Sequence, residues 1–89
     1  MARPKKVKTE YKASIKVMGH VFTATGETVR DAITNLTPGN VKGRSILTIE
    51  KGEVKKERIL THSQTLRLFT TAGMIREIIL KNTVALFDI

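Results

Sequence analysis

In this 89-residue chain, the candidates for chemical function are a glycine-containing loop, two histidines and the serine that follows the second histidine. The stretch GNVKGRS, residues 39–45, is similar to the phosphate-binding loop G-x-x-x-x-G-K-[ST], but it is one residue short and has Arg44 where the motif has lysine. It also lies between a predicted helix and a predicted strand, whereas the motif needs a strand before it and a helix after it. We therefore interpret it as a turn.

Neither His20 nor His62 has a cysteine or a second histidine at the spacing of a zinc site, and the chain has no cysteine at all. Ser63 follows His62 directly, but adjacency in sequence is not the hydrogen-bonded geometry of a catalytic triad, and no orienting acid is evident. The prediction is a protein that is not an enzyme and that binds no metal and no cofactor.

Positive charge is the strongest chemical signal, with a formal net charge of +8 and a pI near 10.2. Residues 1–16 hold six basic side chains and one acid, and residues 42–58 hold six basic side chains and three acids. Such a surface raises the local concentration of phosphate polyanions. The same charge is also compatible with a merely solvated surface.

The predicted partner is DNA or RNA, bound through its phosphates. Base stacking needs exposed aromatic side chains, and of one tyrosine and three phenylalanines only Tyr11 is expected outside the core. A basic N-terminal arm and a basic hairpin would supply the phosphate contacts. The predicted nucleic-acid-binding residues are Arg3, Lys5, Lys6, Lys8, Lys12, Lys16, Lys55, Lys56 and Arg58.

Two other functions stay open on the sequence. One is a small phage or mobile-element protein-binding module that docks on a larger protein or nucleoprotein complex and inhibits or modulates it. The other is a structural subunit that self-assembles through Leu86, Phe87 and Ile89 near the C-terminus. The choice between DNA and RNA and the oligomeric state are not decided by the sequence.

No membrane partner is expected, because the longest apolar runs, MIREIIL and TVALFDI, are far short of the roughly 20 residues that span a bilayer. No apolar stretch of secretory length follows the basic N-terminus. With the lack of cysteine, these features favour a cytoplasmic location.

The first half of the chain predicts a hairpin and a helix. YKASIKVM, residues 11–18, alternates apolar and polar residues as a half-buried strand does, and VFTAT, residues 21–25, predicts the returning strand after a turn at Gly19-His20. In GETVRDAITNL, Glu27 is placed in the first helical turn, and Pro38 follows the end of the helix. The apolar stripe of this helix is Val29, Ala32, Ile33 and Leu36.

The second half predicts the same order. RSILTIEKGEVKKERIL, residues 44–60, predicts two strands around Lys51-Gly52-Glu53, and Thr61 with Gln64 has the spacing of a capping box for a short helix. Residues 74–88 are either a helix, with a Glu77–Lys81 pair on its surface, or a further hairpin, and we predict a helix. The apolar face expected of this helix holds Ile75, Ile78, Ile79, Asn82 and Leu86.

The sequence thus predicts a basic N-terminal arm, residues 1–10, and a single small α+β domain, residues 11–89. Two β-hairpins each followed by a helix, in the order ββαββα with possibly a further C-terminal helix, would form an antiparallel sheet with helices on one face. The other face is left to solvent or to a partner. If its polar residues align, they form a shallow basic platform, but the pattern does not decide whether the Arg44 side or the Ser45 side of the third strand faces outward.

Overall fold

The computed structural model describes residues 10–39 and 41–87 and has the predicted α+β architecture. The strands are β1 (Tyr11–Val17), β2 (His20–Gly26), β3 (Ser45–Lys51) and β4 (Val54–Leu60), and the helices are α1 (Val29–Thr34), α2 (His62–Thr70) and α3 (Gly73–Val84). The strands form one antiparallel sheet in the order β2-β1-β3-β4. The third helix confirms the helical interpretation of the C-terminal segment.

The first hairpin turns one residue earlier than predicted. Val17 pairs with His20, which leaves Met18 and Gly19 as the two turn residues. Both have positive φ, 51° and 85°, which is the pattern of a type I′ turn and matches the twist of a hairpin. Met18 therefore belongs to the turn and His20 to β2. The sequence misled because a non-glycine residue at positive φ is uncommon.

The second hairpin has the predicted turn. Lys51 pairs with Val54, so Gly52 and Glu53 form the connection. Gly52 has a φ of 61°, and Glu53 lies outside the positive region, which is the pattern of a type II′ turn with glycine at its first central position. This turn determines the register of β4 against β3.

Helix α1 has the predicted buried stripe but begins later than expected. The Thr28 hydroxyl caps its N-terminus by accepting a hydrogen bond from the Asp31 amide at 3.0 Å. Glu27 therefore precedes the helix, and Asp31 is the acid in its first turn. The helix ends at Thr34, ahead of Pro38. The predicted apolar stripe is buried: Val29, Ala32 and Ile33 lie in the helix, and Leu36 lies two residues after its end.

Helix α2 begins with the predicted capping box. The Gln64 amide donates to the Thr61 hydroxyl at 3.1 Å, and the Thr61 amide donates to the Gln64 side chain at 2.8 Å. In the same turn, Nδ1 of His62 accepts a hydrogen bond from the Gly43 amide at 2.7 Å. Gly43, in the glycine-containing stretch that precedes β3, is thus hydrogen-bonded to the start of α2.

Helix α3 buries a different face from the one predicted. Ile75 and Ile78 are exposed, whereas Leu80 and Thr83 are buried. Because α3 packs between α1 and α2, the side that meets them turns inward. The prediction was wrong because this helix has large apolar side chains on both sides, so its periodicity does not indicate which side is covered.

The Glu77 carboxylate of α3 is also paired differently from the prediction. It accepts a hydrogen bond from the guanidinium of Arg30 in α1, in place of the expected contact with Lys81. This hydrogen bond and the negative charge of Glu77 raise the pKa of Arg30 above its usual range. The pair joins α1 to α3 at the surface, on the helical side of the domain.

The helices cover one face of the sheet and leave the other uncovered. Ile15, Leu47 and Ile49 are fully buried under the helices. Alternation along each strand sends the neighbouring side chains to the opposite side, which we call the open face. The open face consists of Lys12, Ser14, Lys16, Val21, Thr23, Thr25, Ile46, Thr48, Glu50, Lys55, Glu57 and Ile59. In the third strand, the Arg44 side is therefore the outward one.

Candidate nucleic-acid interface

The pairing of the strands arranges the open face in three rows, each of which crosses all four strands. The charged row is Thr25, Lys12, Glu50 and Lys55. The hydroxyl row is Thr23, Ser14, Thr48 and Glu57. The apolar row is Val21, Lys16, Ile46 and Ile59. Neighbouring rows are roughly 7 Å apart, and neighbouring strands are about 4.8 Å apart.

The charged row lies at the end of the sheet where β1 begins. Glu50 lies directly opposite Lys12 on one side and directly opposite Lys55 on the other. One carboxylate therefore separates two ammonium groups. Within the described ranges, the ion pairs closer than 4.0 Å all involve Arg30, so these lysines are not held in close ion pairs.

The first described residue, Glu10, lies at this same end of the sheet. Glu10 and Tyr11 line a shallow cavity of about 250 Å³ together with Lys12, Thr25, Glu50 and Gly52. The ammonium of Lys51 lies 4.7 Å from the centre of the Tyr11 ring, within the range of a cation–π contact. The predicted arm residues Arg3, Lys5, Lys6 and Lys8 lie outside the described residues.

The apolar row contains one cation at its centre. Lys16 is exposed between Val21 and Ile46, its cross-strand neighbours. Arg44 is also exposed and comes directly before β3, with the same parity as Ile46. Sequence reasoning missed Arg44 as a site residue, although its alternation with Ile46 was a usable signal.

The two remaining predicted residues of the basic hairpin do not lie on the open face. Lys56 lies opposite Ile49 and Arg58 opposite Leu47, which are residues of the covered face. The Arg58 guanidinium donates to the carbonyl of Glu57 at 2.8 Å. The predicted set is therefore divided, because Lys12, Lys16 and Lys55 share the open face while Lys56 and Arg58 lie on the opposite side of β4.

No aromatic ring stands on the open face. The alternation along β1 and β2 places Tyr11 and Phe22 on the covered face, where they are partly buried. Phe69 also packs against the core, and Phe87 is buried in it. Bases therefore find no stacking platform on this surface, and phosphate contact is the mode of binding that its side chains support.

The two histidines lie on different elements of the fold. His20 is on β2, whereas His62 is the first residue of α2 and accepts its hydrogen bond from Gly43. Across residues 10–39 and 41–87, no three side chains of the metal-binding types come together at a potential metal site, and no helix has the length and apolar character needed to cross a membrane.

Comparison of this chain with protein-family models, with curated proteins and with solved structures finds no match.

Proposed function

We propose that this protein is a small, basic, non-enzymatic nucleic-acid-binding accessory protein of the cytoplasm. It contacts the phosphate backbone of DNA or RNA with its N-terminal arm and with the open face. The observation that supports the proposal is that Lys12, Lys16 and Lys55 share a face of the sheet that no described helix covers.

The spacing of these lysines suits a phosphate backbone. Lys12 and Lys16 are four residues apart on β1, or roughly 13 Å, and Lys55 is two strands from Lys12, or about 10 Å. Duplex DNA carries about one negative charge per 1.7 Å of axis, so each ammonium finds a phosphate within reach of its flexible side chain. Binding through phosphates has little sequence preference.

The arm supplies most of the affinity in this proposal. The open face holds three lysines but also Glu50 and Glu57, so its own excess of positive charge is small. The arm adds four cations, Arg3, Lys5, Lys6 and Lys8, directly before the charged row. In the proposed mechanism the arm binds the polyanion, and the lysines of the open face hold its backbone along the sheet.

Deletion of residues 1–9 tests this mechanism. The deletion removes four potential phosphate contacts, so the slope of log K against log salt should flatten by about 3 to 4 units on duplex DNA. The melting temperature should stay the same, because β1 begins at Tyr11. Fluorescence anisotropy with labelled duplex DNA and labelled RNA, over a series of salt concentrations, measures the slope for the full-length protein and for the shortened one.

Two results would contradict the proposal. If the full-length protein retains neither DNA nor RNA at about 50 mM salt, where electrostatic binding is strong, the nucleic-acid function is wrong. If the shortened protein binds with an unchanged slope, the arm makes no phosphate contacts and the proposed mechanism is wrong.

A second candidate function is docking on a larger protein or nucleoprotein complex, and the outward side of α3 favours it. Met74, Ile75 and Ile78 are 82%, 62% and 58% exposed, and they lie together on that side of the helix. Contiguous apolar side chains on a surface are a feature of protein interaction sites. This candidate requires a specific partner whose binding is lost with Ile78→Lys and kept with Ile59→Lys, a matched change at an exposed apolar residue of the open face.

A further inference from the structure

The two edge strands of the sheet are β2 and β4, and each directs backbone groups to the outside. In an antiparallel hairpin, residues that bond to the neighbouring strand alternate with residues whose N–H and C=O groups point away from it. The two-residue turns make Val17–His20 and Lys51–Val54 the bonded closing pairs. The residues that direct their backbone groups outward are therefore Val21, Thr23 and Thr25 on β2, and Lys55, Glu57 and Ile59 on β4.

The two edges differ in their protection against pairing. Natural edge strands carry charged residues, proline or bulges that prevent another strand from adding to them. Strand β4, VKKERIL, has four consecutive charged residues. Strand β2, HVFTATG, has no lysine, arginine, acid or proline, and it pairs with β1 along its whole length without a bulge. Strand β2 is therefore the unprotected edge.

We infer that β2 is a self-association edge, where it pairs in antiparallel orientation with β2 of a second copy of this chain. The two-fold axis passes by Thr23, and the two four-stranded sheets become one continuous sheet. This inference goes beyond the proposed nucleic-acid function and does not rest on it.

The three outward residues of β2 are all uncharged and β-branched, which is why a second copy fits. Antiparallel pairing centred on Thr23 places it opposite Thr23 of the second copy and places Val21 opposite Thr25 of the second copy. Thr–Thr and β-branched cross-strand pairs are favourable, and no like charges meet. On β4, the same symmetric pairing would place Glu57 against Glu57, and like charges directly opposite destabilise a strand pair.

The backbone groups at this edge have capacity for the new hydrogen bonds. The Thr25 carbonyl already accepts a hydrogen bond from the side-chain amide of Asn35 at 2.8 Å, and its oxygen has a second lone pair. Val21 and Thr23 are exposed, and in the described part of the chain no side chain bonds to their backbone groups. The central Thr23 pair therefore forms without displacing an existing bond.

Thr23→Pro tests the inference, with Glu57→Pro as its matched control. Both residues belong to the hydroxyl row, one on each edge strand, and each substitution removes an outward N–H at a position where edge strands tolerate proline. Sedimentation equilibrium without nucleic acid should give a concentration-dependent mass that rises toward twice the 9.9 kDa of the chain for the wild type. Glu57→Pro should behave like the wild type, and Thr23→Pro should stay at the monomer mass.

A second pair of variants keeps the test decisive if proline unfolds the protein. Thr23→Lys places two lysines opposite each other at the two-fold axis and should also abolish the dimer, whereas Ile59→Lys on the exposed side of β4 should leave it intact. A monomeric wild type at all concentrations overturns the inference and leaves a strand of a different protein as the occupant of this edge. A dimer that Glu57→Pro or Ile59→Lys dissociates, and the Thr23 variants do not, overturns it as well.

Discussion

The two faces of the sheet are built from alternate residues of the same four strands, yet they differ in almost every property. Leu47 is fully buried under the helices, whereas its neighbour Ile46 lies among exposed side chains on the open face. A shift of one residue in pairing would exchange the two sets. The register of the hairpins therefore determines which cations can act together.

Because of this alternation between faces, a cluster of charges along the chain is not a cluster of charges on a surface. Lys55 and Lys56 are adjacent in sequence but lie on opposite faces of β4. Lys12 and Lys55 are far apart in sequence but lie in one row, two strands from each other. Within the sheet, only the second kind of proximity places two side chains on one face, where both can contact the same phosphate backbone.

The largest loss of stability should come from truncating a side chain of the covered face. Leu47→Ala leaves a cavity in the core and should lower the free energy of unfolding by roughly 2–5 kcal/mol. Ile46→Ala, one position away on the open face, should lower it by about 1 kcal/mol or less. Urea denaturation of the two variants measures the difference, and equal losses would show that the faces are assigned wrongly.

A smaller loss of stability should come from a substitution in the β3–β4 turn, which determines the register of β4 against β3. Gly52 has a φ of 61°, so Gly52→Val forces a β-branched residue into a conformation that favours glycine and should destabilise the protein by roughly 1–3 kcal/mol. Gly39 lies outside the positive-φ region, and a side chain there meets no neighbour within 4 Å, so Gly39→Val is the control. A Gly52→Val variant as stable as the control would place the turn elsewhere.

The functional contrast between the faces should appear in adjacent charge reversals. Lys55→Glu removes a proposed phosphate contact from the open face and should weaken binding to duplex DNA about tenfold at roughly 0.1 M salt. Lys56→Glu changes the net charge by the same amount on the other face and should alter affinity by less than about twofold. Anisotropy titrations measure both constants, and equal losses would mean that net charge, not the open face, controls binding.

The smallest effect should come from a helix cap that lies outside both faces. Thr61→Ala removes the hydroxyl that accepts the Gln64 amide hydrogen bond and should cost about 1 kcal/mol of stability, with DNA affinity unchanged. Ser63→Ala, in the first turn of the same helix, is the control. Thermal unfolding gives the stability, and a loss of DNA binding in Thr61→Ala would extend the site to α2.

The candidate site was predictable in part. The alternation in YKASIKVM was sufficient to place Lys12 and Lys16 together on the polar side of one strand, and the structure has them there. Lys56 and Arg58 were grouped with Lys55 because they are close in sequence, and pairing with β3 separates them. The polar residues of the strands do align on the open face, but Glu50 and Glu57 lie among its lysines, so its excess of positive charge is small.

Local chemistry was enough for the elements whose signals are local. The capping box at Thr61 and Gln64, the turn at Gly52 and the buried stripe of α1 each depend on neighbouring residues, and each was predicted from the sequence. The order of two hairpins, each followed by a helix, followed from such local signals, because antiparallel strands joined by short turns pair with each other. The C-terminal segment had no such signal, and its sequence left a helix and a hairpin open.

Only tertiary packing decided which side of α3 is covered and which side chains of different strands lie together. The sequence of α3 offers apolar side chains on two sides, and only its position between α1 and α2 buries Leu80 and exposes Ile78. In the same way, only the pairing of β1 with β3 brought Lys12, Glu50 and Lys55 into one row. The choice between two apolar sides of a helix, and proximity across strands, depend on residues distant in sequence, so no local pattern encodes them.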